Sequence, residues 1–181
     1  MVSMSMSMSM SMRKLLFELG GARAVAEMHD DIVPRTCDAV WNMLPVEGMS
    51  IHANWASREI MLHLHGDKIL RLPPEGPTRR TTAPGDIVYF WRSPQMSRGQ
   101  QLAYSSEFQR ELSELAIFYG EPSAGGLAAH DPPREGRTAN LQVSTLFATF
   151  VDLPREFALK CEEIRHKGLQ RLVVSRLESQ P

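Results

Sequence analysis

The sequence predicts an all-β fold: a closed barrel of about eight strands capped by two α-helices. Three observations lead there. Short alternating or β-branched runs recur along the chain with turn residues between them. Only two stretches place apolar residues at helical spacing, and each follows a proline. No internal repeat or linker divides the 181 residues. Closing the sheet removes exposed strand edges, and a helix at each open end buries its own apolar face.

The chain starts with a Ser-Met alternation running to Met12. It has neither a basic opening nor an apolar core, so it makes a poor signal peptide. It is expected to be a disordered low-complexity tail, or a mis-called start, with the barrel domain covering 13–181. Lys14 to Leu19 reads as a strand, Gly20-Gly21 as a hairpin turn, and Ala22 to Met28 as a second strand with alanines on alternate positions. Pro34 suits a first helical turn, and Cys37, Val40, Trp41 and Leu44 form one apolar face before Pro45 ends the helix.

Met49 to Ala53 reads as a short strand. Glu59 to His65 is a clear one, with Ile60, Leu62 and Leu64 on one side and Glu59, Met61, His63 and His65 on the other. Gly66 to Pro84 is a proline-rich loop that leaves room for a short strand at Ile69–Leu72. Pro84-Gly85-Asp86 turns into Ile87 to Trp91, strongly β in composition. Ser106 to Leu112 suggests a helical turn and Leu115 to Tyr119 a strand. After a Gly/Ala/Pro-rich loop, Leu141 to Val151 is an extended apolar strand. Pro154 then opens the second helix, with Phe157, Cys161 and Ile164 on one face and Gly168 at its end. Leu169 to Leu177 is the last strand.

The net charge of -1 argues against nucleic acid as a partner. No apolar run approaches the roughly 20 residues that cross a bilayer. The absence of such signals leads to an expected cytoplasmic location. Cys37 and Cys161 stand at no metal-ligand spacing and read as two buried thiols.

Two stretches carry a resemblance. Val33-Pro34-Arg35-Thr36 resembles the cyclophilin segment that opens the first capping helix, and Phe147 to Val151 with the following helix and strand resembles the cyclophilin closing unit. Trp55 with Glu59, then Gly85-Asp86-Ile87 with Tyr89, then Phe118-Tyr119-Gly120, are similar to a minimal bacterial family of cyclophilin-like barrels of unknown function. The resemblance covers most of Arg13 to Leu177 and implies a cyclophilin-like barrel. It does not carry the isomerase residues. Ile51-His52-Ala53 has no arginine after the histidine, no Gln-Gly-Gly follows, and Ala116-Ile117-Phe118 lacks the glutamine. Without a preorganised cationic donor, the main electrostatic aid to rotating a prolyl bond is missing.

His52, Asn54, Trp55, Arg58 and Glu59 are the densest mix of polar and aromatic residues. They read either as one wall of a pocket, with Trp55 stacking on a ligand, or as a solvated strand corner with Trp55 in the core. Tyr89 and Arg92 fall on a neighbouring strand, where Arg92 suits an anion such as a carboxylate. Barrel packing competes more strongly for Tyr89 and Phe118 than for Arg92. His63 and His65 share a strand face, as metal ligands do. Cupin barrels add a nearby glutamate and a later histidine. Here Glu75 is the nearest downstream glutamate and Trp91-Arg92-Ser93 supplies no histidine, so an outer face bearing histidines is the expectation, without metal or other cofactor.

The leading expectation is a binding module for a small molecule, with a carboxylate as the favoured class, held near His52, Asn54, Trp55, Arg58, Glu59, Tyr89 and Arg92. One alternative is an enzyme, an isomerase or other activity using His52, Arg58 and Glu59. Another is a structural subunit of a homo-oligomer.

Overall fold

The computed structural model describes residues 12–53, 58–76, 82–92, 111–120 and 144–178. Eight antiparallel strands close into one barrel. In chain order they are β1 (Lys14–Leu19), β2 (Ala22–Met28), β3 (Val46–His52), β4 (Glu59–Leu64), β5 (Asp86–Arg92), β6 (Leu112–Phe118), β7 (Ser144–Asp152) and β8 (Gln170–Arg176). Around the ring they run β1-β2-β7-β5-β6-β4-β3-β8, and β8 pairs back onto β1. Helix α1 (Pro34–Met43) and helix α2 (Arg155–Lys167) complete the expected architecture.

The β1–β2 hairpin turns through Gly20 and Gly21, both at positive φ (55° and 86°). This backbone matches the strand twist and is strained for residues with a side chain. On β2 the small inward residues Ala22, Ala24 and Ala26 are all buried. They leave space for Phe17, Phe147 and Phe150. The Phe17 and Phe150 rings meet edge-on at 5.2 Å, and Phe150 meets Phe157 of α2 at 5.4 Å.

Each helix covers one end of the barrel with its apolar stripe. Helix α1 buries Thr36, Cys37 and Val40. Helix α2 buries Phe157, Cys161 and Ile164 and packs on β1 to β4. It stops at Gly168, whose N–H donates to the Ile164 carbonyl at 3.0 Å. The two cysteines are free and buried.

Val33 gives α1 no side-chain cap. A distant residue supplies one instead: the Glu75 carboxylate accepts from the Thr36 N–H (2.8 Å) and the Thr36 hydroxyl (2.9 Å). Negative charge at a helix N-terminus satisfies an orphan donor and complements the helix dipole. The same segment corrects one expectation. Ile69 to Leu72 is not a strand, because side chains meet its backbone: the Ser113 hydroxyl accepts from the Leu70 N–H (3.0 Å) and the Tyr89 hydroxyl from the Leu72 N–H (3.2 Å).

Other boundaries also move. The third strand begins at Val46, directly after Pro45, rather than at Met49. The sixth begins at Leu112 rather than Leu115, so Leu112 is strand and not part of a helical turn. Residues 106–110 and 141–143 of the expected elements lie outside the described residues, as does the tail up to Ser11.

At the seam between first and last strands, the guanidinium groups of Arg13 and Arg176 lie 5.4 and 5.3 Å from the Trp41 ring centroid. Arg13 also ion-pairs with Asp30 and Asp38, and Arg176 donates to the Trp41 carbonyl.

Candidate functional site

Two groups of polar residues stand out, on different sides of the sheet. The first lies at the barrel end under α2. Strand β3 ends at His52, and Tyr119 directly follows β6. The Nδ1 of His52 is 2.8 Å from the Ala53 carbonyl, and its Nε2 is 2.7 Å from the Tyr119 hydroxyl. Tyr119 in turn donates to Glu162 of α2 at 2.5 Å. Glu162 also faces His166 (3.6 Å) and Arg165 (3.9 Å). Exposed Arg58 reaches the same end, and a Cβ built on Gly120 would collide with its side chain. Burial holds the His52 imidazole below its ordinary pKa. The Tyr119 hydrogen bond holds Glu162 below the usual carboxyl range. Burial, followed by Glu162, pushes the Tyr119 phenol up. Both ring nitrogens of His52 are engaged within the protein, which leaves neither directed at a substrate.

The second group lies on the outward side of β4, β6 and β5. Register places His63 opposite Glu114 and Met61 opposite Ala116. Val88 lies opposite Ala116, and Phe90 opposite Glu114. Alternation along each strand puts Glu59, Arg92 and Leu112 on the same side. An outward sheet face usually meets water, yet Glu59, Met61, Val88, Phe90, Arg92, Leu112, Glu114 and Ala116 are all buried. Ala53, Met61, Val88 and Ala116 form an apolar cluster separate from the barrel core, with Ile51, Phe118 and Leu146 against it.

Electrostatics on this face are unusual. Burial, then the charge of Glu114, pushes the Glu59 carboxyl up to about 8, so it is largely protonated at neutral pH. The Nε2 of His63 and Oε2 of Glu114 are 3.3 Å apart. Both atoms are buried, and neither makes an aligned hydrogen bond. The structure therefore finds the outer histidine-bearing side of β4 turned into a covered layer rather than a solvated one. His65 lies beyond the strand, its ring 6.0 Å from that of His63. Among the described residues no group of three or more His, Cys, Asp or Glu could hold a metal ion.

The expected site residues are thus distributed. His52 and Arg58 sit at the α2 end, while Glu59 and Arg92 belong to the outer face. Tyr89 points into the core, where its hydroxyl donates to the Leu70 carbonyl. Asn54 and Trp55 lie outside the described residues. His52 and Glu59 are close in sequence but project to opposite sides of the sheet. Sequence reasoning missed Glu114 and Glu162. A charged residue inside the apolar run Leu112–Phe118 was a usable sign for Glu114; Glu162 sits among other charges on a helix, and nothing in the sequence singles it out.

No helix of the described residues is long and apolar enough to cross a membrane. No curated protein sequence matches the chain. Among solved structures, the chain is similar to McbB in complex with tryptophan, with a TM-score of 0.50 and 15% identity over 92% of this chain. The match spans only 46% of that protein, and at this identity it speaks to the fold alone. Residues 15–175 match the model of a family described as a protein of unknown function, DUF3830. The buried polar face and the capped barrel end therefore belong to a member of the DUF3830 family.

Proposed function

We propose that the protein is a binding module for a small organic anion, most simply a carboxylate, held on the outward side of β4, β6 and β5. The observation that carries this is the burial of Glu59, Arg92 and Glu114 beside a separate apolar cluster, away from the core. Ionisable groups gathered in a buried layer beside apolar surface mark a candidate functional site. Here Arg92 supplies a planar cationic donor suited to a carboxylate. Glu59, kept neutral, is a hydrogen-bond donor rather than a source of repulsion. The His63–Glu114 pair lacks an aligned hydrogen bond and can reorient towards a polar group on the ligand. Met61, Val88 and Ala116 provide an apolar floor. This combination of an apolar surface with a few polar groups is the usual make-up of a small-molecule site. Trp55 follows Ala53 of the apolar cluster by two residues and is the stacking residue proposed to complete it.

The test is native mass spectrometry of freshly purified protein, followed by thermal shifts with a panel of organic carboxylates. Tryptophan, the molecule in the structural neighbour, belongs in that panel. A retained mass or a stabilising compound is expected for the wild type, with the effect lost in Arg92→Met. His52→Gln, on the other side of the sheet, should bind as the wild type does. If Arg92→Met and Trp55→Ala both bind unchanged, the site is elsewhere; if nothing in the panel shifts the wild type and no mass is retained, the carboxylate reading fails.

A further inference from the structure

Two buried polar atoms on the outer face lack what a single group could give to both. The Nε2 of His63 and the Oε2 of Glu114 lie 3.3 Å apart, and neither has a hydrogen-bond partner. Buried polar atoms left unpaired are costly, so this pair points to a group that the described residues do not supply. An ionised carboxylate only accepts, and a neutral imidazole accepts at the nitrogen that carries no hydrogen. Their spacing lets one nitrogen sit about 2.9 Å from both atoms. A primary ammonium fits there: it has three hydrogens to donate, and its charge offsets that of Glu114. A carboxylate in the same place has no hydrogen for either atom and brings a second negative charge towards a buried one.

Register sets what lies to either side. Glu114 is opposite His63 on β4 and opposite Phe90 on β5. Arg92, two residues beyond Phe90, is therefore a diagonal neighbour of Glu114. Such neighbours are about 7–8 Å apart, a gap that long side chains close from both sides. In the other direction lie Met61, Val88 and Ala116 of the apolar cluster. The order along the strands is thus cation, anion, apolar floor. An α-amino acid has the matching order: its carboxylate and its ammonium are bonded to one carbon, and its side chain leaves from that same carbon.

We propose that the outer face takes an α-amino acid with an apolar side chain, its carboxylate on Arg92, its ammonium between Glu114 and His63, and its side chain on Met61, Val88 and Ala116. This rests on the reading of that face as a carboxylate site and narrows the class of carboxylate. Glu114 is the selecting residue. An acid of the same shape without the amino group keeps Arg92 and the floor but meets the Glu114 charge with nothing to offset it. A 2-hydroxy acid can donate to Glu114, yet it leaves that buried charge uncompensated.

Isothermal titration calorimetry of the full chain at neutral pH tests this. Phenylalanine, leucine and methionine are each compared with the acid lacking the amino group and with the 2-hydroxy acid. The best-bound amino acid should bind at least about tenfold more tightly than both of its counterparts, the worth of a charge-assisted hydrogen bond. Glu114→Gln keeps the shape and removes the charge. It should weaken the amino acid about tenfold and strengthen the acid that lacks the amino group, a crossing that general damage to the fold would not produce. If either counterpart binds the wild type as tightly as the amino acid does, the inference is overturned and the carboxylate reading stands. The same holds if Glu114→Gln weakens all three ligands alike, or if another carboxylate binds and no amino acid does. If no compound of either kind binds, both fall together.

Discussion

Glu59→Gln should gain stability over the wild type as the pH rises, because the change removes a buried acid that must otherwise stay protonated. The Glu59 carboxyl is buried on the outer face, and burial together with Glu114 pushes its pKa from 4.5 to about 8. Between those values the folded protein holds a proton that the unfolded chain has released. Stability then falls with pH at about 1.4 kcal/mol per unit. Over a shift of about 3.5 units the total approaches about 5 kcal/mol, a large share of the stability of an ordinary domain. Glutamine has the same shape and donates hydrogen bonds but does not titrate. The wild type and Glu59→Gln should therefore match at acid pH and diverge steadily up to about pH 8, with the variant ahead. Urea denaturation at several pH values across the window measures this directly, provided the slope of each transition stays the same. A constant difference between the two proteins across the window would show that Glu59 is not the buried neutral acid described here. Glu114→Gln should reproduce a smaller part of the effect, since the Glu114 charge is the lesser cause.

Two further outcomes test the fold around the site. Glu75→Ala removes the distant cap of α1 and should lower stability by about 1–2 kcal/mol, seen as a lower Tm with faster amide exchange in the first turn of that helix. Phe147→Ala opens a hole in a fully buried part of the core and should reduce the unfolding free energy by about 3–5 kcal/mol in denaturant titrations, while the Glu59 titration on the outer face keeps its pH slope.

The sequence was legible where one side of an element is apolar and the other is not. The alternating alanines of β2 and the spacing of Phe157, Cys161 and Ile164 identify both element and face. It was less legible in β5 and β6, whose residues are buried on both sides. There the alternation that separates inside from outside disappears, and only residue type ranks Tyr89 above Arg92 as a candidate for packing. Only the ring order β5-β6-β4 shows that Arg92 shares a layer with Glu114 while Tyr89 belongs to the core. The candidate site divided for a related reason. His52, Arg58 and Glu59 are near one another in the chain, but His52 ends β3 and pairs with Ile60 of β4, so Glu59, one residue before Ile60, takes the opposite face. The partners that His52 does have, Tyr119 and Glu162, arrive from elements much later in the chain.

The position of β8 bears on how this chain is made. It is the last strand in chain order, yet it lies between β1 and β3, two of the first three. During synthesis, β1 and β3 therefore wait with bare hydrogen-bonding edges until nearly all described residues have emerged. Such edges invite pairing with other chains. The barrel stays open to misassembly until β8 is made, and the risk ends when Arg176 reaches Trp41 and the ring is shut.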